Sequence, residues 1–283
     1  MSSTALLLLL AAALLHAGWN VLVKGAREKD LFMWWAWVVG ALGYAPLLVL
    51  LPALPRAAWP YLLASGLAQA AYSVALTRAY TLGDFSLVYP IARGAAPALR
   101  ALWAALVLGE RPSVYGLLGL TLLLAGLLTV GGLFGRPGHA RPGPAAYVAA
   151  MGVALSISIY SALDGAAMQI AAALPYTIAE FIVTALVLTP VMLRRYSRAA
   201  LLGEWRAHWP RIVLVGLLIL LTYAMVLLAY SAGRVSYAGA IREVSVVFAA
   251  LIGWRWLGEG FGALRVTGAL LIFGGILVIA IAG

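Results

Sequence analysis

The sequence predicts an all-α polytopic membrane protein whose ten transmembrane helices form two inverted five-helix repeats. Three observations predict it. Hydrophobic residues make up 65% of the 283 positions and charged residues only 10%, which with a mean hydropathy of +1.02 marks an integral membrane protein. Cutting the chain at its charged, Pro-rich and Gly-rich breaks leaves ten runs near the ~20 apolar residues that cross about 30 Å of hydrocarbon as a helix. The second half also repeats polar and aromatic residues of the first in the same order.

The first run, 4–23, opens as MSSTALLLLLAAALLHAG, which resembles a signal peptide. It lacks a basic start and stays apolar through Val23, so it reads as the first span. KGAREKD separates it from 32–52, which Trp34, Trp35 and Trp37 open as headgroup anchors; Trp59, Trp205 and Trp209 are placed in loops for the same purpose. PALPRAAWP precedes 60–82, LGD precedes 85–108, and GERPS precedes 114–134. GRPGHARPGP separates the halves, followed by 145–163, which DGAAMQIAAAL closes with Asp164 at its edge. The run 174–193 ends at RRYSRAALLGEWRAHWPR, a long charged break before 212–232. AGR then introduces 235–256, and LGEG introduces 262–282. The organisation is a first repeat over 1–134, a linker over 135–144 and a second repeat over 145–283.

The duplication rests on ordered identities. AYTLGDFSLVYPIAR aligns with AYSAGRVSYAGAIR, pairing Tyr80 with Tyr230, Gly83 with Gly233, Ser86 with Ser236 and Ile91 with Ile241. Arg93 meets Arg242 after a one-residue slip, and LGE recurs at 108–110 and 257–259. Five spans per half is an odd number, so corresponding helices cross the bilayer in opposite senses, the architecture of secondary transporters.

On these residues the chain resembles the EamA branch of the drug/metabolite transporter superfamily. YPIARGAAP and AIREVSVVF look like one bacterial subgroup of it. The resemblance implies a permease of the plasma (inner) membrane, with no metal or organic cofactor. It further implies export of amino acids or other small metabolites, or exchange of nucleotide sugars and sugar phosphates.

Four basic residues fall within the runs: Arg78, Arg93, Arg100 and Arg242. A central arginine costs about 2.5–3.5 kcal/mol in lipid, so such residues face a bundle interior or an aqueous cavity. Arg78 lies close enough to a helix end to snorkel. Arg93 and Arg100 straddle the centre of their run, each about 5 Å from the midpoint at ~1.5 Å per residue. Arg242 on the antiparallel counterpart is expected near the level of Arg100, so that three guanidiniums bracket a central site. Tyr89, Arg93, Pro97 and Arg100 recur at helical spacing on one face.

Other polar stripes recur at four-residue steps: His16, Asn20 and Lys24; Ser156, Tyr160 and Asp164; Gln69, Ser73 and Thr77. Thr177, Glu180 and Thr184 mark one more run. Each residue has a bland reading as well, an interhelical hydrogen bond of about 0.6 kcal/mol. Glu180 reads equally as a proton-coupling carboxylate and as half of an ion pair; for Glu243 the structural pair, with Arg93 or Arg100, takes precedence. Arg93, Arg242, Tyr89, Arg100, His16, Asn20, Tyr160 and Gln69 are the candidate substrate contacts. Glu180, Glu243 and Asp164 are the candidate proton or ion-pair groups.

Several classes drop out. Zero cysteines exclude thiolate metal sites, iron–sulfur clusters and disulfides, while His16, His139 and His208 are scattered without metal-ligand spacing. Neither a phosphate loop nor a GxSxG or GxGD protease element is present, so no enzymatic activity is predicted. The net charge of +10 reflects loop arginines facing anionic headgroups, with no nucleic-acid partner. Odd-numbered loops hold twelve Lys and Arg, Arg265 among them, against three in the even loops. Charge bias therefore places both termini outside, whereas eukaryotic branches of the resembled family place them in the cytosol. The expected function is alternating-access transport of a small polar metabolite, most plausibly an amino acid or other organic anion, with protons as a further partner. The alternatives are a proton-coupled multidrug or organic-cation exporter and a lipid-headgroup translocase.

Overall fold

The computed structural model describes residues 3–108, 113–130, 143–231, 245–258 and 262–282. Among these the chain forms ten α-helices and no strand: α1 (Ser3–Lys24), α2 (Lys29–Tyr44), α3 (Trp59–Leu82), α4 (Phe85–Leu108), α5 (Val114–Val130), α6 (Pro144–Ala167), α7 (Ala173–Arg195), α8 (Arg198–Ser231), α9 (Ser245–Arg255) and α10 (Gly262–Ala282). Hydrocarbon leaves no other way to satisfy a backbone, since only a helix pairs every N–H and C=O within its own segment.

Five helical stretches are both long and apolar enough to cross a membrane: Leu7–Lys24, Lys29–Val49, Pro144–Ala167, Ala173–Arg195 and Arg198–Leu228. The other helices are shorter within the described residues or interrupted by polar side chains, as in α3 and α4.

Three boundaries differ from the sequence reading. The run 32–52 is not one helix, because α2 stops at Tyr44 and a 3₁₀ turn over Ala45–Val49 takes over at Pro46, whose missing N–H cannot extend the α-helical ladder. The charged break after 193 is mostly helix: α8 starts at Arg198 and runs 34 residues. Ser197 caps it by accepting the Ala200 N–H at 3.2 Å. Trp205 and Trp209 are therefore helical, and Trp59 opens α3 instead of lying in a loop. Trp35 donates to the Leu201 carbonyl and packs its ring 5.0 Å from that of Trp205. At ~1.5 Å per residue α8 is about 50 Å long, so its basic first turns extend past the hydrocarbon. Finally, α6 continues through Asp164 to Ala167.

The helices gather into two compact units. One comprises residues 1–77 and 159–233, the other residues 78–158 and 234–283. In the first, α2 and α8 touch through glycine: a Cβ on Gly216 would sit 2.6 Å from the Ala36 carbonyl oxygen, and one on Gly40 would sit 2.8 Å from that of Gly216. In the second, α5 and α10 meet in the same way. A Cβ on Gly126 would lie 2.6 Å from both the Gly268 oxygen and the Ile272 nitrogen. Such seams suit lipid, where van der Waals contact between backbones replaces the hydrophobic effect as the source of association. The ARGAAPA run behaves accordingly, since Gly94 faces Ile272 of α10 closely.

Candidate functional site

In the first unit, four helices converge on two buried carboxyl groups. Asp164 projects from α6 and Glu180 from α7, and neither residue is solvent-exposed at all (0% each). Tyr176, one helical turn before Glu180, donates its hydroxyl to Asp164 Oδ1 at 2.9 Å, and Tyr223 of α8 donates to Oδ2. Glu180 Oε1 accepts from Ser65 at 2.6 Å and from the Gln69 amide at 3.3 Å, both on α3. Glu180 Oε2 is buried without a hydrogen-bond partner. The two carboxyls are close enough to influence each other's charge, and a proton on one gives it a donor that the other can accept.

Aromatic rings wall this pair. Tyr160, one turn before Asp164 on α6, stands edge-on between Tyr72 at 5.8 Å and Tyr223 at 6.0 Å. Phe181 packs 4.5 Å from Trp37, whose indole N–H donates to Ser73 at 3.0 Å. Among the described residues no Lys or Arg pairs with either carboxyl. Nor do three His, Asp or Glu side chains gather where they could hold a metal ion.

Local spacing explains the convergence. Side chains four apart share a helix face, so Tyr160 with Asp164, Tyr176 with Glu180, and Ser65, Gln69, Ser73 with Thr77 are each one stripe. The α3 stripe is buried throughout. Above its upper end is a small cleft lined by Asp30 and Trp34 of α2, Ser73 and Thr77 of α3, and Leu188 and Arg195 of α7. Arg195 pairs with Asp30 at 2.8 Å, and Tyr196 donates its hydroxyl to the same carboxylate at 3.1 Å. Burial and then the nearby Asp30 carboxylate raise the Tyr196 phenol above its ordinary value, which keeps it a donor there.

The sequence-derived candidates separate clearly. Asp164, Glu180, Gln69 and Tyr160 meet in this cluster, with Asp164 in the last turn of α6. Asn20 is buried on α1 and donates to the His16 carbonyl at 2.7 Å, while the His16 ring meets Trp19 edge-on. Arg93 and Tyr89 belong to the second unit, both buried on α4, with the Tyr89 ring 5.3 Å from Phe85. Arg100 lies on the same helix. Arg242 and Glu243 fall outside the described residues. Arg78 is exposed, in keeping with snorkelling. Arg265, counted with the loops, is instead a buried residue of α10 that donates to Asp84 at 2.9 Å and to Ser86.

Sequence reasoning passed over Ser65, Tyr72, Tyr176 and Tyr223. Ser65 extends the Gln69 stripe by one further turn, and Tyr176 stands beside Thr177, one turn before Glu180. Tyr223 carried its own signal, a Thr-Tyr step in the middle of an otherwise apolar run.

Residues 3–132 and 144–281 each match the profile of a family described as the EamA-like transporter family. A crystal structure of another protein superposes with a TM-score of 0.68 over 98% of this chain and 96% of its own, at 20% identity, a likeness of fold. No curated protein matches the sequence.

Proposed function

The chain belongs to the EamA-like transporter family, two copies of whose repeat span it, and on that premise we propose that it is a secondary transporter exchanging protons at Asp164 and Glu180 against a small polar metabolite. Membership makes it a multi-pass membrane transporter of the drug/metabolite type. In the proposed cycle ten spans form two inverted halves, which expose a central site alternately to either side of the inner membrane.

The observation that carries the proton reading is the pair of fully buried carboxyls with no described cation on them. Two like charges about 4 Å apart repel by on the order of 4 kcal/mol at an effective dielectric near 20. A proton between them removes that repulsion. Glu180 Oε2, the unpartnered acceptor, is the atom placed to take it and then to donate to Asp164. Ser65, Gln69, Tyr176 and Tyr223 hold the other three oxygens fixed, so loading changes the charge of the site by one without reorganising its frame. A charge difference of this kind is what lets a ligand bias one conformation over another.

Arg93 and Arg242, with Tyr89 and Arg100, are the proposed contacts for an anionic group on the substrate, and His16, Asn20, Gln69 and Tyr160 are proposed polar contacts within their own unit. A guanidinium offers carboxylate or phosphonate a bidentate match. A second reading, export of an organic cation, is favoured by one specific feature: Tyr176 and Tyr223 bond the acidic pair and Tyr160 packs against Tyr223, and aromatic faces attract desolvated cations.

Counterflow in proteoliposomes with labelled amino acids, organic acids and organic cations, under an imposed pH gradient, tests both. The expected result is gradient-driven uptake of an organic acid or amino acid that Glu180→Gln or Asp164→Asn uncouples from protons. Uptake of cations alone, with Arg93→Ala unaffected, selects the second reading. Gradient-driven uptake unchanged in both carboxyl variants removes the proton assignment.

A further inference from the structure

The described polar track does not stop at the carboxyl pair. On α3 it continues from Ser65 and Gln69, which hold Glu180, to Ser73 and Thr77, which line the cleft beside Asp30 and Arg195. Ser73 is only one turn from Gln69, about 6 Å along the helix axis at ~1.5 Å per residue. Trp37 is held at that turn. The Trp37 indole donates to Ser73 and lies against Phe181, the residue after Glu180, and Trp37 is 1% exposed. The cleft beyond it is charged at its edge: Arg195 is 57% exposed and Asp30 22% exposed.

We propose that the cleft bordered by Asp30, Ser73, Thr77 and Arg195 is the aqueous mouth through which the Asp164–Glu180 pair exchanges protons, with Trp37 as its gate. The inference rests on the proton-coupled reading above and deepens it by assigning the access route. Protons move through an apolar constriction only when water threads it, and the indole excludes water from the turn between Ser73 and Gln69. Displacing the indole joins the cleft to the Gln69 amide and, one bond further, to Glu180. Of the charged and titratable groups facing this route, Asp30 comes from α2, Arg195 from the end of α7, Tyr196 from just beyond it, Asp164 and Tyr160 from α6, Tyr176 and Glu180 from α7, and Tyr223 from α8. The ion pair of Asp30 with Arg195 holds the mouth without closing it, since both side chains remain in contact with solvent.

The chain contains no cysteine, so single-cysteine variants report access directly in the otherwise unaltered protein. In proteoliposomes a membrane-impermeant thiol reagent is expected to label Thr77→Cys and Ser73→Cys from one face only. Gln69→Cys is expected to be protected beside Trp37 and to react at least tenfold faster when Trp37→Ala is added. Without substrate, Trp37→Ala vesicles are expected to dissipate an imposed pH gradient several-fold faster than wild type, and Glu180→Gln in the same chain is expected to restore the slow rate. Trp37→Phe, which keeps a ring on Phe181, is expected to stay closed, and Ser73→Ala, which removes only the anchoring acceptor, to leak at an intermediate rate; these two carry the test if Trp37→Ala does not fold.

An unreactive Thr77→Cys, a Gln69→Cys reactivity indifferent to Trp37, or a Trp37→Ala leak that survives Glu180→Gln overturns the route. If the route fails while Glu180→Gln still uncouples wild-type transport, the proton reading stands without it. If wild-type transport ignores protons altogether, that reading falls and takes the route with it.

Discussion

At the scale of single residues, the hydrogen bonds around Asp164 and Glu180 decide what each substitution does. Tyr223→Phe removes one donor to Asp164 while keeping the ring beside Tyr160. A hydrogen bond to a charged group contributes about 1.5–3 kcal/mol, so the variant, which keeps the ring in place, is expected to alter the pH dependence of transport. Transport measured from pH 5 to 9 checks this, and an unmoved profile separates Tyr223 from the proton site. Arg265 carries a structural prediction. Asp84→Asn strips the carboxylate from a buried guanidinium and is expected to lower stability by about 2 kcal/mol, read as detergent-solubilised unfolding, with transport intact in the folded fraction.

At the scale of the helices, glycine sets how closely they approach. Gly216→Ala and Gly126→Ala each drive a methyl into a facing backbone at 2.6 Å, and a backbone cannot rotate away as a side chain can. Overpacking of this kind costs about 1–3 kcal/mol. Gly274→Ala is the matched control, since a Cβ there meets nothing within 4 Å. Thermal unfolding in one detergent is expected to fall for the first two and not for the third. The helices also show why charge misleads as punctuation. RAALLGEWRAHW is rich in good helix formers and capped by Ser197. Its charges signal where the hydrocarbon ends, not where the helix does, and the helix runs on past it.

At the scale of the molecule, composition, hydropathy and the ordered duplication were sufficient for helical class, and the family that those residues resemble agrees with the match over 3–132 and 144–281. Those features survive because lipid imposes them on every residue: a spanning segment must be long, apolar and helical whatever it packs against. The stripes were legible for the same reason, since helical periodicity is a local property, and they contained four residues of the carboxyl cluster. Which stripes meet was not legible. Tyr160, Asp164, Glu180 and Gln69 gather in one compact unit, whereas Arg93, of equal prominence in the sequence, is buried in the other. Pairing between helices depends on where glycines permit contact and on which hydroxyl of another helix meets which carboxylate, and such relations join positions as far apart in the chain as Ser65 and Glu180. By itself, then, the sequence determined a helical membrane protein with polar faces, because solvent acts on each segment independently. Only the tertiary structure decided that two acids share one buried site behind an indole, because that arrangement is a property of several helices at once.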